Sequence, residues 1–277
     1  MSNATDEENA NMIHPTAIID PTAKLGANVA IGPYAIIEAD VEIGDGCVLQ
    51  AHAVLRRGTV LGKKVQVDSF AVVAGDPQDF KFDPATPTGV RIGDGAMLRE
   101  GVTVHRSTKP GGFTTVGTGS LLMGHCHIGH DCQVGNNVAI GNSVLLAGHV
   151  VMFDNVFVSG GAGFHQFVRV GEGVMVGGGA RIAMDIPHYT LVVERGELYG
   201  LNLVGLKRRG FDAATLSELR ALYKAVYQGG SLIKRAEEAA PLAKTEAGKK
   251  FLSFFVASKR GIHRPPQNVN IDGAAES

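Results

Sequence analysis

The strongest constraint in this 277-residue chain is a period of six. An aliphatic residue stands at Ile13, Ile19, Leu25, Ile31, Ile37, Ile43, Leu49, Leu55, Leu61, Val67 and Val73, returns at Ile92, Leu98 and Val104, and then recurs from Val116 to Ile182. Ile, Leu or Val leads 24 of these 26 hexads, with Met152 and Phe164 the exceptions. A small or β-branched residue fills the fifth place of most hexads, and Gly follows the leading residue in eleven, as at Gly26, Gly32, Gly129 and Gly135. A period of six matches neither a helix face of 3.6 nor a two-sided strand. It matches a β-solenoid whose short strands each turn one residue inward, with Gly or a small residue letting the backbone turn. Three hexads per triangular coil would stack residues 18 apart at the inter-strand spacing of about 4.8 Å. The 37 glycines, nearly twice the usual ~7% share, fit that many corners.

Two segments leave the repeat. Residues 79–91 and 110–115 are rich in Pro, Gly and Thr and read as loops thrown out from a prism over 12–187. Beyond Pro187 the period gives way to helix signals. Leu216, Leu219, Leu222, Tyr223 and Val226 trace an amphipathic stripe with Asp212 or Thr215 as its cap and Gly229–Gly230 as its end. Ser231 is a cap for a second such helix, Pro241 interrupts, and a third carries Phe251, Phe254 and Phe255. A helical bundle is expected over 188–264, with loose tails at 1–11 and 265–277. Residues 188–264 carry 14 Lys and Arg against 7 Asp and Glu, net +7, while the whole chain is net −1. A basic module of this kind suggests an acidic partner or ligand.

Cys47, Cys126 and Cys132 all fall at fifth positions of hexads and read as small buried hydrophobes; they lack zinc-ribbon spacing and fit a reducing, cytoplasmic setting. No run approaches the ~18 apolar residues of a membrane span. No nucleic-acid partner is expected.

Five of the ten histidines, His125, His127, His130, His149 and His165, fall within 41 residues, whereas His14, His52, His188 and His263 are scattered and read as surface or structural. Adding 18 to 130 reaches Gly148, and 18 more reaches Gln166, so the coil period stacks these three in one column with His149 and His165 beside it. A histidine is a natural general base near neutral pH, and Asp131 can fix its tautomer. A glycine one coil on can offer its N–H to a developing oxyanion. These parts suit transfer of an acyl group to a hydroxyl. The spacing alone leaves open a row of polar residues that merely faces solvent.

The repeat resembles the hexapeptide-repeat transferases, which implies a left-handed parallel β-helix. More narrowly, G-D-P-Q-D-F-K-F (75–82), R-E-G-V-T-V-H-R-S-T (99–108), H-I-G-H-D-C (127–132), L-A-G-H-V (146–150), H-Q-F (165–167) and G-L-K-R-R-G-F (205–211) are similar to the acyl-carrier-protein-dependent UDP-N-acetylglucosamine O-acyltransferases, which begin lipid A synthesis. The likeness runs through residues 12–264 in order. It implies a homotrimer that uses no metal or other cofactor and takes its acyl chain from acyl carrier protein. It implies His130 as general base, Asp131 as its partner and Gly148 N–H as oxyanion donor. Sugar-nucleotide contacts fall on Asp79, Lys81, His127, His149, His165 and Gln166, with Asn202, Arg208 and Arg209 near the nucleotide. Gly178 falls at the acyl groove. Paired guanidinium groups suit diphosphate oxygens. Three features depart from the family pattern: Phe82-Asp83-Pro84-Ala85 after Lys81, the extra His125, and Val204. Rivals on the same repeat are acyltransferases that use coenzyme A or acylate an amine, zinc enzymes with three histidine ligands, and a non-catalytic scaffold.

Overall fold

The computed structural model describes residues 11–193, 196–258 and 260–266. Short strands, most of them two residues long, assemble into three parallel sheets that form the sides of a prism. The first sheet runs from Met12–Ile13 to Met175–Val176, the second from Ile18–Ile19 to Arg181–Ile182, and the third from Lys24–Leu25 to Arg169–Val170. Where the repeat is unbroken, partners are 18 residues apart, as in His127 with Leu145 and Leu145 with Gly163. The leading aliphatic residue of each hexad points inward: Ile37, Leu49, Leu98, Leu122, Ile128 and Ile140 are no more than 1% exposed. The fifth-position residues form a second buried column, which includes all three cysteines. Burial pushes the Cys126 and Cys132 thiols up to about 12, the behaviour of inert core groups.

The structure separates two demands on the corners that the sequence pattern merges. Left-handed backbone falls on the fourth residue of the hexad, as at Asn28, Asp40, His52, His125, Asp131 and His149, with φ between 56° and 63°. The glycine in second place has another reason, which is close approach of the next coil. A Cβ on Gly117 would sit 2.4 Å from the Gly135 carbonyl.

Both excursions begin and end earlier in the chain than the sequence suggests. Gly89–Ile92 is a strand, paired with Thr59–Leu61 on one side and with Phe113–Val116 on the other, so the loops span 76–88 and 106–112. In each strand alternate residues are buried, Val90 and Ile92 in one and Thr114 and Val116 in the other, so the core extends beyond the hexad leaders. The prism also continues past Pro187: Thr190–Val193 pairs parallel with Met175–Val176 and turns back antiparallel to Glu197–Leu201. Of the expected tails, 1–10 and 267–277 lie outside the described residues. Asn11 belongs to the first coil, its side-chain oxygen accepting the Val29 N–H at 2.8 Å.

Helices α1 (Leu203–Arg208), α2 (Ala213–Tyr227), α3 (Leu232–Ala239) and α4 (Glu246–Val256) follow. Asp212 caps α2, Ser231 caps α3 and Thr245 caps α4, each accepting a backbone N–H of the first turn. Pro241 lies in a single 3₁₀ turn after α3. Phe251, Phe254 and Phe255 are fully buried, each removal from water contributing about 2–3 kcal/mol. Polar contacts join helices to prism. Glu172 pairs with Arg209 and Lys250, and Asp185, 1% exposed, accepts the Arg169 N–H and the Ser258 hydroxyl. Among the described residues no helix is long and apolar enough to cross a membrane.

Candidate active site

Five consecutive coils share one corner, between the second and third sheets. Going up the prism it holds the 76–88 loop, the 106–112 loop, His130–Asp131, Gly148–His149 and Gln166–Phe167. Because the third residue of a hexad carries one outward side chain and the left-handed fourth another, two parallel columns arise. One contains His130, Gly148 and Gln166; the other contains Asp131, His149 and Phe167, all three with φ between 61° and 67°.

The contacts within these columns are specific. His130 Nδ1 lies 2.8 Å from Asp131 Oδ2. The His130 ring lies over Gly148, where a Cβ would come within 2.6 Å of Nε2, so the imidazole fits because position 148 has no side chain. His149 stacks on Phe167 at 4.6 Å and meets His130 edge-on at 5.0 Å. At the corner between the third and first sheets, an Asp one coil up takes the N–H of the third residue of the hexad: Asp45 from Ala27, Asp94 from Lys63, Asp154 from Asn136. One coil above Gly148 stands Gln166, and the Gly148 N–H finds no acceptor among the described residues. It remains a free donor beside the His130 ring.

Asp131 is 8% exposed. Burial alone pushes its carboxyl up, but hydrogen bonds from Ser107, Thr108 and His130 outweigh it and hold the group well below the usual carboxylate range. Burial lowers His127 and His149, and Asp131 partly offsets it at His149.

These groups border a groove of roughly 680 Å³ across the second sheet, lined by Gln78, His105, His127, His130, Gly148, His165, Gln166 and Arg181 among others, with Leu145 and Gly163 on its floor. His127 Nδ1 is 2.8 Å from Thr103 Oγ1, and its ring meets His105 edge-on at 4.6 Å. Burial holds His105 down to about 4, with His127 and His130 adding to the effect, so it is neutral near pH 7. Another cavity of similar size lies over the third sheet, where Glu38, Asp40 and Asp76 pair with Arg56, Arg57 and Arg106. Its carboxylates are thus largely matched internally.

The structure therefore brings together His127, His130, Asp131, Gly148, His149, His165 and Gln166. It leaves out others. Asp79 and Lys81 are exposed on the 76–88 loop, where Asp79 Oδ1 accepts the Lys81 N–H, and neither lines the groove. Asn202 caps α1, Arg209 pairs with Glu172, and exposed Arg208 lies beside them; none of the three lines the groove. His125 stands at the neighbouring corner over Gly101. Gly178 sits at that same corner, across the second sheet from His130, where a Cβ would make ordinary contact with Gly160 O at 3.5 Å. Sequence reasoning missed His105, Ser107, Thr108 and Thr114. The second loop stretches the offset to Asp131 from 18 to 24 for Ser107, which hides the neighbourhood from a search at the coil period. His130, Asp131 and His149 also place ligand atoms within 4.8 Å of one another, a spacing that could hold a metal ion. Asp131 Oδ2, however, already accepts hydrogen bonds from Thr108 and His130.

Residues 185–263 match the family described as UDP-N-acetylglucosamine O-acyltransferase, domain 2, and residues 22–57 and 113–148 match the bacterial transferase hexapeptide. A curated Myxococcus xanthus protein named acyl-[acyl-carrier-protein]–UDP-N-acetylglucosamine O-acyltransferase is 47% identical over 256 residues, 91% of this chain and 99% of that protein. The chain belongs to that family. Its solved relatives agree in fold. The UDP-N-acetylglucosamine acyltransferase of Francisella novicida superimposes with a TM-score of 0.88 at 32% identity, covering 92% of this chain and 95% of that one. The Campylobacter jejuni enzyme gives 0.86 at 36%, covering 92% and 100%. The chain is thus a left-handed parallel β-helix followed by a helical region, as acyltransferases of this family are.

Proposed function

We propose that this protein transfers a 3-hydroxyacyl chain from acyl carrier protein to the 3-hydroxyl of UDP-N-acetylglucosamine, the opening reaction of lipid A synthesis. The observation that carries this reading is the His130–Asp131 pair beside the unengaged N–H of Gly148, in one groove of a chain that belongs to the acyltransferase family. With Asp131 on Nδ1, His130 presents Nε2 as the base. It takes the proton of the sugar hydroxyl while that oxygen attacks the thioester carbonyl, and Gly148 N–H receives the developing oxyanion. Collapse breaks the carbon–sulfur bond, and the proton on His130 passes to the departing thiolate. No cofactor enters this sequence. His127, His149, His165 and Gln166 orient the sugar, and the groove running towards Gly178 takes the acyl chain.

Asp79, Lys81, Asn202, Arg208 and Arg209 act on this reading across a subunit boundary in a homotrimer. The outward columns support it: the first sheet shows Met12 and Phe157, the second Ile18, Ile36 and Leu145, all exposed, whereas the third shows Lys24, Glu42, Arg91 and Gln133. Two mainly apolar faces and one mainly polar face suit a closed ring in which each subunit touches two neighbours. The net charge of +7 over 188–264 suits docking of an acidic carrier protein, and buried, reduced cysteines suit the cytoplasm. The test is to incubate purified protein with UDP-N-acetylglucosamine and carrier proteins bearing different acyl chains, then weigh the products. A mass increase of one hydroxyacyl group on the sugar nucleotide is expected; acylation from coenzyme A alone, or none, would contradict the proposal.

A further inference from the structure

Ser107 and Thr108 lie on the second loop, and both reach Asp131. Ser107, 1% exposed, donates its hydroxyl to Oδ1 at 2.5 Å while its oxygen accepts the Lys109 N–H at 3.1 Å. Thr108 donates to Oδ2 twice, from its hydroxyl at 2.6 Å and its N–H at 3.2 Å. Thr114 Oγ1 accepts the Asp131 N–H at 2.8 Å and so holds the left-handed backbone that aims the carboxylate. Oδ2 also has two histidines to choose between, His130 Nδ1 at 2.8 Å and His149 Nε2 at 3.7 Å.

We propose that Ser107 and Thr108 are positioning residues of the dyad, which hold the Asp131 carboxylate turned towards His130 rather than His149 and so decide which nitrogen of His130 faces the substrate. The inference rests on His130 being the general base. A carboxylate that receives two hydroxyls and an N–H has no place for a proton of its own, since a protonated oxygen would confront a donor with a donor. Its remaining acceptor capacity on Oδ2 goes to His130, so neutral His130 carries its proton on Nδ1 and keeps the Nε2 lone pair for the sugar hydroxyl. Without the Thr108 hydroxyl, Oδ2 is free to swing towards His149. His130 then loses its fixed tautomer, and a ring protonated on Nε2 cannot accept the substrate proton.

The test uses Ser107→Ala, Thr108→Val, their double variant and Thr108→Ser in the full-length protein. Each lost hydroxyl should lower kcat about 10-fold, the scale of one hydrogen bond to a charged group, and the double variant up to about 100-fold. KM for UDP-N-acetylglucosamine should stay within about twofold, because neither residue lines the groove. Thr108→Ser should recover most of the loss that Thr108→Val shows. Nitrogen-15 spectra of histidine-labelled protein should show His130 protonated on Nδ1 in the wild type and mixed with the Nε2 form in the double variant. A double variant with wild-type kcat, or one whose His130 keeps the Nδ1 proton, overturns the inference while leaving the base assignment intact. If His130→Ala itself retains turnover, the base assignment falls and the inference falls with it.

Discussion

Two corners of the prism are built alike and do different things. At the corner between the first and second sheets, Tyr34, His52 and Phe70 stack at 5.3 and 5.1 Å in the same left-handed backbone that His149 and Phe167 use at the next corner. His125 stands further along that first corner, near the Glu100 carboxyl. At the second corner Asp131 occupies the equivalent position, and the 106–112 loop brings hydroxyls to it. The coil thus supplies the spacing of side chains at every corner, while the inserted loops supply the donors that turn one corner into a reaction site.

The sharpest way to break this comparison is to remove one histidine from each corner. His130→Ala should lower kcat by ~10²–10⁴-fold, as loss of a general base does, while His125→Ala should stay within about twofold in a steady-state assay. Equal losses would place the chemistry elsewhere. Next in size is Gly148→Ala. The added Cβ meets the His130 ring at 2.5–2.6 Å, so base and oxyanion donor shift together and kcat should fall ~10²–10³-fold, with circular dichroism unchanged.

The third prediction concerns pH. Burial holds His188 down to about 4, and its Nδ1 accepts the Glu172 N–H at 2.7 Å. The unfolded chain therefore binds the extra proton first. Stability from this group is present above about 6.5 and is lost as pH falls towards 4, by up to about 3 kcal/mol. Urea midpoints measured from pH 7 to 4.5 should decline, and His188→Gln should flatten the decline; parallel curves would contradict it. The smallest effects belong to the partner surfaces. kcat/KM for acyl carrier protein should fall as salt rises from 0.05 to ~0.5 M with kcat little changed, since exposed charge is screened within ~10 Å at 0.1 M. Gly178→Met should shift preference towards shorter acyl chains, read from product masses.

How much was legible follows from the same contrast. The hexad frame is a property of consecutive residues, so Ile128, Leu146 and Phe164 announce the core, and adding 18 finds His130, Gly148 and Gln166 without a structure. The helix caps Asp212 and Ser231 were equally readable, being local. Ser107 and Thr108 were not, because the loop changes the offset by an amount only the fold reveals. Residues 89–91 and 113–115 looked like loop because their neighbours in sequence are; pairing with distant strands makes them sheet. Arg209 read as a phosphate ligand by motif, whereas in the chain it pairs with Glu172, which no local pattern predicts.

The central claim is that the sugar nucleotide binds at the corner of His130 and not at the corner of His125. Histidine-selective nitrogen-15 NMR during titration with UDP-N-acetylglucosamine tests it most directly. The account predicts shifts at His127, His130, His149 and His165, with His52 and His125 unmoved. Shifts centred on His125, or a saturating titration that leaves His130 and His149 untouched, would contradict it.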